Sequence, residues 1–343
     1  MRKQIITAAN IAVFAALIFI ALEITIRIYL FGITGLNPLK VNSFRNLIDS
    51  ELVQASEYPE VWYELKPDQN TIFRGAPFRT NSHGLADDEY TYDKKPDTFR
   101  VAVIGSSWTM GAGVDVDNTF HSILEKELNQ ESDSIRYEFI NFGVEFYGLG
   151  EMIGTIKHKA LRYDPDMILF IVTGVTPLIP WEIHEQPFEP VPASETGWTS
   201  YVAWKLKNIL GIENELPGRD NNTGEKSTTN NRGQYSRQLQ RAFNELAAIS
   251  AETNIPVATA WLRINESNDD NSNLADVYIR RAERSHITGA VVDLDKYLQP
   301  GEPIHTLLVS RSEKHPNDFG HTIIAIDLRE KLFPDVVPAI ESP

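Results

Sequence analysis

Two kinds of apolar pattern alternate along the chain from residue 98 onward. Short runs rich in β-branched and aromatic residues predict buried strands, and they lie at residues 99–104, 137–142, 167–173, 256–262 and 290–294. Longer stretches with apolar residues three or four apart predict helices, and they lie at residues 120–130, 149–163, 238–253 and 321–332. Strands that alternate with helices predict an α/β domain in which a parallel sheet is covered on both faces.

The N-terminus carries a different pattern. Residues 5–22 are almost wholly apolar and the run continues to residue 30, whereas a membrane span needs roughly 20 residues. We interpret residues 1–32 as an uncleaved signal anchor, with a cleaved signal peptide or a buried helix as the alternative. Glu23 and Arg27 are four apart and can pair on one helix face. Since membrane charges seldom face lipid, the pair could face a partner membrane protein or sit at the interface.

Basic residues near the anchor predict its orientation. Arg2 and Lys3 favour a cytoplasmic N-terminus, while Arg27, Lys40 and Arg45 on the other side weaken that bias. We therefore expect a single-pass inner (cell) membrane protein with its large domain outside the cytoplasm.

The remaining segments differ in regularity. Residues 33–97 show no strong period and predict a membrane-proximal arm that packs on the main domain. Residues 218–233 are polar and contain glycine, which is typical of a mobile loop, and the aromatic residues 198–204 before them predict either a lid or a plain surface helix. The predicted organisation is anchor 1–32, arm 33–97, main domain 98–335 with an insertion at about 179–235, and tail 336–343.

Composition excludes several classes of function. The 343-residue chain has a net charge of -15, and such a surface repels nucleic-acid phosphates. There are no cysteines, so disulfides, thiolate metal sites and a Cys nucleophile are excluded. The histidines show no metal-ligand spacing with one another, and we expect neither a metal nor a cofactor.

Two segments carry candidate chemistry. Ser107 lies in a small-residue turn directly after the first predicted strand, where reactive groups of a parallel sheet gather. Taken alone, such a serine is more often a helix cap or turn residue. His315 precedes a helix and has Glu313 two residues earlier, so the two could act as a base and its orienting carboxylate for a serine hydroxyl. The alternative for a lone His is a solvated loop residue.

Five short blocks, taken in order, resemble the SGNH (GDSL-like) hydrolase superfamily in its membrane-anchored branch. Residues 79–85 resemble RxNSxGxR, residues 105–111 resemble GDSFTxG, residues 141–144 resemble NxGV, residues 160–166 resemble ALRYxPD, and residues 315–321 resemble HPNxxGH. The resemblance covers roughly residues 78–333. It implies a flavodoxin-like three-layer sandwich with a central parallel sheet of about five strands, and no cofactor.

The resemblance also implies roles for individual residues. Ser107 would be the nucleophile and His315 its base. The backbone amides of Ser107 and Gly143 would form the oxyanion hole, to which Thr176 would add a hydroxyl donor in place of the family's Asn. Glu313 would orient the base, because the Asp that the family places before its His is absent.

The chain departs from the family pattern at three positions. The Asp before the family's nucleophile is Ser106 here, the oxyanion Asn is Thr176, and the position three before the catalytic His is Ser312. The loss of one oxyanion donor costs on the order of 10²-fold in rate.

Two functions follow from these patterns. The first is a serine esterase or O-acyltransferase that acts on ester groups, O-acetyl groups above all, of cell-envelope glycans. The second is a catalytically degenerate domain that binds a glycan or serves as a scaffold subunit in an envelope membrane complex. The sequence names neither the sugar nor the acyl acceptor, since one fold hosts many reactions.

Overall fold

The computed structural model describes residues 2–174, 176, 181, 188–189, 200–210, 232–264, 272–311 and 313–334. Ser312, most of the predicted insertion and the predicted tail therefore lie outside the described residues. Within these ranges the chain forms a long N-terminal helix, three small hairpins and a five-stranded sheet covered by helices.

The N-terminal helix α1 (Arg2–Phe31) has 30 residues, which makes it about 45 Å long at 1.5 Å per residue. Its side chains at positions 9–22 are all exposed. By length and composition the helix can cross a membrane, and the candidate span is Ala9–Leu36. The segment is therefore a candidate membrane anchor or signal sequence. The short helix α2 (Pro38–Asn42) follows it.

Two antiparallel hairpins occupy the segment in which the sequence shows no period. They consist of β1 (Val53–Ala55) paired with β2 (Tyr63–Leu65), and β3 (Asn70–Phe73) paired with β4 (Ala76–Arg79). Strands of three or four residues are too short for alternation to be recognised, because that signal needs about four to eight residues. Buried side chains of these strands belong to the same apolar core as the sheet.

The central sheet has five parallel strands in the order β6-β5-β7-β8-β9. The strands are β5 (Thr98–Ile104), β6 (Arg136–Asn141), β7 (Met167–Thr173), β8 (Val257–Arg263) and β9 (Thr288–Asp293). Numbered along the chain within the sheet, this order is 2-1-3-4-5, the flavodoxin-like arrangement. It confirms the predicted fold class. The strand order reverses at β5, so the crevice for a ligand lies at the carboxyl end of that strand.

Helices cover both faces of the sheet. In chain order they are α3 (Ser107–Met110), α4 (Phe120–Glu131), α5 (Leu149–His158), α6 (Tyr201–Ile209), α7 (Arg232–Thr253), α8 (Ser272–Arg284) and α9 (Asp318–Leu332). Apolar side chains of α4 and α9 pack on one face, and those of α5, α7 and α8 pack on the other. The helix α6 packs against α1 instead of the sheet.

Three details of the helix prediction were wrong. The helix predicted at residues 238–253 begins at Arg232, so it includes the last two residues of the loop predicted at 218–233. The helix predicted at residues 149–163 ends at His158, and a 3-10 turn at Ala160–Tyr163 follows it. That turn closes on Asp164, whose left-handed backbone (φ 50°) ends the helical path. The helix α8 was missed because most of its residues are polar. Its buried side chains Ala275, Tyr278 and Ala282 still follow helical spacing.

A third hairpin brings the C-terminal chemistry back to the sheet. It pairs β10 (Leu308–Ser310) with β11 (Glu313–Pro316) in antiparallel fashion. The closing helix α9 begins directly afterwards, where the Asn317 side chain caps it by accepting a hydrogen bond from the Gly320 amide at 3.0 Å. His315 therefore lies on an ordered strand between the hairpin turn and a capped helix.

Candidate active site

Ser107 lies at the carboxyl end of the strand where the sheet order reverses. The strand β5 ends at Ile104, and Ser107 is the first residue of α3. The turn is tight, because a Cβ on Gly105 would overlap the Thr109 hydroxyl. Gly111, with a φ of 80°, ends the helix after a single turn. The hydroxyl of Ser107 is thus carried by a partly exposed residue on a fixed turn.

His315 is paired with a carboxylate, as its spacing predicts. Residues two apart on a strand point to the same side, and the His315 Nδ1 lies 2.5 Å from the Glu313 Oε1. The two side chains are 13% and 6% exposed. When Nδ1 donates its proton to the carboxylate, Nε2 keeps the lone pair that a general base needs. The His315 imidazole is therefore held in place by Glu313, and His315 is not a solvated loop residue.

The two elements that carry Ser107 and His315 are neighbours in the structure. Cα atoms of α3 and β11 approach within 8 Å of each other. The helix that begins with Ser107 therefore lies beside the strand that carries His315, although the two residues are more than 200 positions apart.

A buried arginine, which sequence reasoning missed, organises the acidic side of this site. The Arg74 guanidinium bonds both the Glu313 and the Glu145 carboxylates. The three side chains are between 2% and 6% exposed. Glu145 also accepts a hydrogen bond from the Leu47 amide at 3.1 Å. One guanidinium between two carboxylates leaves a net charge of -1 beside His315, which stabilises an imidazolium when it forms.

Glu145 and Arg74, which the sequence analysis missed, differ in whether the sequence carried a signal for them. Glu145 directly follows the block at 141–144, so its position next to a family motif was a usable signal. Arg74 lies in the turn between β3 and β4, in a left-handed backbone conformation (φ 48°), and no local pattern marks it. Only the packing of the arm on the sheet places its side chain at Glu313.

Two of the three predicted oxyanion donors already have partners. The Gly143 amide donates to the Asn141 Oδ1 at 2.8 Å. The Thr176 hydroxyl is fully buried and lies 2.8 Å from the Thr173 hydroxyl, at the end of β7. By contrast, the Ser107 amide belongs to the first turn of α3, where a helix offers its amides no acceptor.

Gly143 nevertheless lies against the helix that carries Ser107. A Cβ on Gly143 would lie 2.5 Å from the Met110 amide nitrogen, so only glycine lets the carboxyl end of β6 approach α3 this closely.

Ser106, which stands where the family has Asp, is buried, and its carbonyl accepts hydrogen bonds from the Thr109 and Met110 amides.

His321, the last histidine of the HPNxxGH-like block, joins two helices. The His321 Nδ1 accepts a hydrogen bond from the Phe120 amide at 3.1 Å, at the start of α4. Burial, together with the charges of His121 and His315, lowers the pKa of His321 to about 3. The ring therefore stays neutral and fixes α9 to α4.

A groove of about 360 Å³ borders the site on the side of the anchor. Its walls come from five parts of the chain: the segment after α1, the Arg74 turn, the loop after α3, the strand β10 and the start of α9. The lining residues are Thr34, Phe44, Arg74, Gly75, Gly113, Val309, Asn317, Asp318 and Phe319. Ser107 and His315 do not line this groove. Two lining residues connect it to the candidate site: Arg74 bonds Glu313, and Asn317 lies two residues after His315.

Neither the scan of protein-family models nor the search of curated proteins found a match to the chain. Solved structures similar to it include a lipolytic protein of the G-D-S-L family from Desulfitobacterium hafniense, at 13% identity and a TM-score of 0.41, covering 68% of this chain and 99% of that one.

Two esterases are also similar. One is a catalytic mutant of the acetylxylan esterase Axe2 from Geobacillus stearothermophilus, at 12% identity and a TM-score of 0.43, covering 70% of this chain and 97% of that one. The other is a two-domain esterase active on acetylated mannans, at 11% identity and a TM-score of 0.44, covering 72% of this chain and 52% of that one. Of these three proteins, the one from Desulfitobacterium hafniense is named as a G-D-S-L family protein and the other two as esterases.

Proposed function

We propose that the chain is a membrane-anchored serine ester hydrolase or O-acyltransferase. One observation carries the proposal: His315, paired with the buried Glu313, lies on a strand beside the helix that begins with Ser107 at the carboxyl end of β5. A serine hydroxyl becomes a good nucleophile when such a base removes its proton.

The proposed reaction has two steps. The Ser107 oxygen attacks an ester carbonyl while the His315 Nε2 takes the hydroxyl proton, and the alcohol leaves with that proton. Water or a second hydroxyl then attacks the acyl-serine, with the same imidazole as base. Glu313 holds the imidazole through Nδ1, and Arg74 holds Glu313. The Ser107 amide is the donor that we assign to the oxyanion.

The substrate and the location are part of the proposal. The family resemblance supports O-acetyl groups of cell-envelope glycans as the ester. The length and exposed apolar surface of α1 support a single membrane span, with the sheet domain outside the cytoplasm. In this arrangement the groove beside Thr34 and Phe44 opens close to the anchor.

A fluorophosphonate probe tests the nucleophile. We expect the full-length protein to be labelled at Ser107, and Ser107→Ala to lose both the label and the hydrolysis of a small acetyl ester, the latter by roughly 10⁴-fold. Ser134→Ala removes an exposed serine outside the site and should keep both. Unchanged turnover in Ser107→Ala would show that another group performs the reaction.

A shortage of oxyanion donors supports a second candidate function, the binding of a glycan without catalysis. Because the Gly143 amide already donates to the Asn141 Oδ1, the site has at most two of the three donors that the family uses. A domain of this kind could bind an acetylated glycan without cleaving it. An unlabelled but folded protein whose melting temperature rises with an acetylated oligosaccharide would favour this second function.

A further inference from the structure

The helix α6 is joined to the anchor helix by a charged residue of α1. The Glu23 carboxylate accepts hydrogen bonds from the Tyr201 and Val202 amides at 3.0 Å each and from the Ser200 hydroxyl at 3.1 Å. These amides open α6, where a helix has no internal acceptors. Glu23 therefore caps α6 from outside, and this answers where the charge pair of α1 faces.

Further contacts fix the position of α6 on α1. The Arg27 Nε lies 2.8 Å from Glu23, and its guanidinium lies over the Tyr201 ring at 5.0 Å. The Tyr201 and Phe31 rings meet edge to face at 5.2 Å. Leu30 and Val41 complete a small apolar cluster around them. The capped end of α6 is thus held on the last nine residues of the anchor helix, Glu23 to Phe31.

The rest of α6, together with Leu210 directly after its last residue, presents an apolar stripe outward. Leu206, Ile209 and Leu210 are 55%, 69% and 70% exposed. At 3.6 residues per turn they fall within an arc of about 100° on one side of the helix. Lys205 and Lys207 flank the arc on its two sides. This distribution is typical of a helix that lies in a membrane interface, with its apolar face at the acyl boundary and its lysines at the headgroups.

The surface of the anchor next to α6 indicates what covers the stripe. Ile24, Ile28 and Ile33 are 42%, 41% and 75% exposed, and Leu36 and Leu39 beyond them are 49% and 72% exposed. An apolar surface thus continues from the anchor helix into the segment that follows it. Exposed apolar patches of this kind mark a binding surface, and here the surface is continuous with the part of α1 that would contact lipid.

We propose that α6 lies in the headgroup region of the membrane that α1 crosses, with Leu206, Ile209 and Leu210 inserted at the acyl boundary. The inference rests on the proposed insertion of α1. A single spanning helix leaves the domain free to rotate about its axis, whereas a second lipid contact fixes that rotation. The groove beside Thr34 and Phe44 then keeps a constant orientation to the membrane surface.

Because the chain contains no cysteine, a single spin label can be placed without altering any other residue. The full-length variants Leu206→Cys and Leu210→Cys are reconstituted in phosphatidylcholine–phosphatidylglycerol vesicles and their collision rates with oxygen and with a water-soluble nickel chelate are measured. Leu17→Cys, on the exposed apolar part of α1, is the lipid control, and Gln130→Cys, on the exposed side of α4, is the water control.

We expect the oxygen-to-nickel ratio at positions 206 and 210 to be several-fold higher than at 130 and close to that at 17. Low collision rates with both reagents would mean that protein covers the stripe, and this result would overturn the inference. Spin–spin broadening in that case would identify the covering protein as a second copy of the chain. If Leu17 is in lipid while both α6 positions are in water, this inference alone fails. If Leu17 is also in water, the insertion of α1 fails and the inference with it, whereas labelling of Ser107 by the serine probe is unaffected.

Discussion

At the scale of single residues, the candidate site depends on charge balance as much as on the nucleophile. His315 has one carboxylate on its Nδ1, and that carboxylate is shared with a buried guanidinium. Removing one member of a buried charge network leaves the others uncompensated, which costs roughly 3–5 kcal/mol. We therefore expect Arg74 to act as a positioning residue, through Glu313.

The substitution Arg74→Gln tests this role. We expect kcat to fall, because Glu313 loses the group that holds it, and we expect the acid limb of kcat/KM to move to higher pH by about one unit, since a nearby positive charge is lost. The measurement is the pH profile of acetyl ester hydrolysis. The double variant Arg74→Gln/Glu145→Gln restores the net charge of -1 and should return the limb toward its original pH. A profile that keeps its shape in the single variant would leave Arg74 with a structural role only.

The lowered pKa of His321 predicts that the free energy of unfolding depends on pH. Its pKa is lowered to about 3 by burial and by the charges of His121 and His315, while an unfolded His titrates near 6.5. Between these values the unfolded chain binds a proton that the folded chain does not. The free energy of unfolding therefore decreases as the pH falls from about 6.5 towards 3, by up to about 1.4 kcal/mol per pH unit.

The variant His321→Asn isolates this contribution, because the Asn oxygen can accept from the Phe120 amide without titrating. We expect the melting temperature of this variant to depend less steeply on pH between 6.5 and 4 than that of the parent. His286→Asn changes an exposed His and should keep the parental dependence. Equal slopes for His321→Asn and the parent would contradict the assignment.

At the scale of elements, the regular sheet domain was predictable and the short elements were not. The strand predicted at 167–173 coincides with β7, and the other sheet strands differ from prediction by one or two residues at an end. Long buried strands carry a continuous apolar signal. The hairpins β1–β2 and β3–β4 carry too few residues for any period, and their pairing is decided by what they pack against.

The helix α6 shows how an element can take its role from a distant partner. The sequence left residues 198–204 as either a lid or a surface helix. In the structure the described part of that segment begins α6, which packs on α1 and is capped by Glu23. No local signal links the two, because the capping carboxylate lies 178 residues away from Tyr201.

At the scale of the whole molecule, the predicted arm shares its core with the sheet. Leu65 of β2 and Val53 of β1 are 1% and 0% exposed and lie in the same apolar cluster as Ile104 of β5 and Met152 of α5. The arm also supplies Arg74 to the candidate site. A segment that contributes to a common core is expected to unfold together with the rest of that core.

The substitution Leu65→Ala tests this coupling. We expect it to lower the free energy of unfolding by about 2–5 kcal/mol, the usual cost of a buried Leu→Ala change. Urea unfolding of the full-length protein in detergent, followed by both tryptophan fluorescence and far-ultraviolet circular dichroism, should show one shifted transition with both probes. Leu36→Ala changes a half-exposed leucine and should shift it little. Two separate transitions would show that the arm folds as a unit of its own.

The sequence by itself determined the α/β class, the apolar N-terminal helix, and Ser107, His315 and Glu313 as the candidate residues. The sequence can supply these inferences because periodicity, two-residue spacing and short motif blocks are local properties of a chain, and the roles of Ser107, His315 and Glu313 remain predictions. Tertiary structure alone decided that Arg74 joins Glu313 across 239 positions and that Glu23 caps α6. Each of those contacts depends on which surfaces meet when the core is buried, and no local pattern records that.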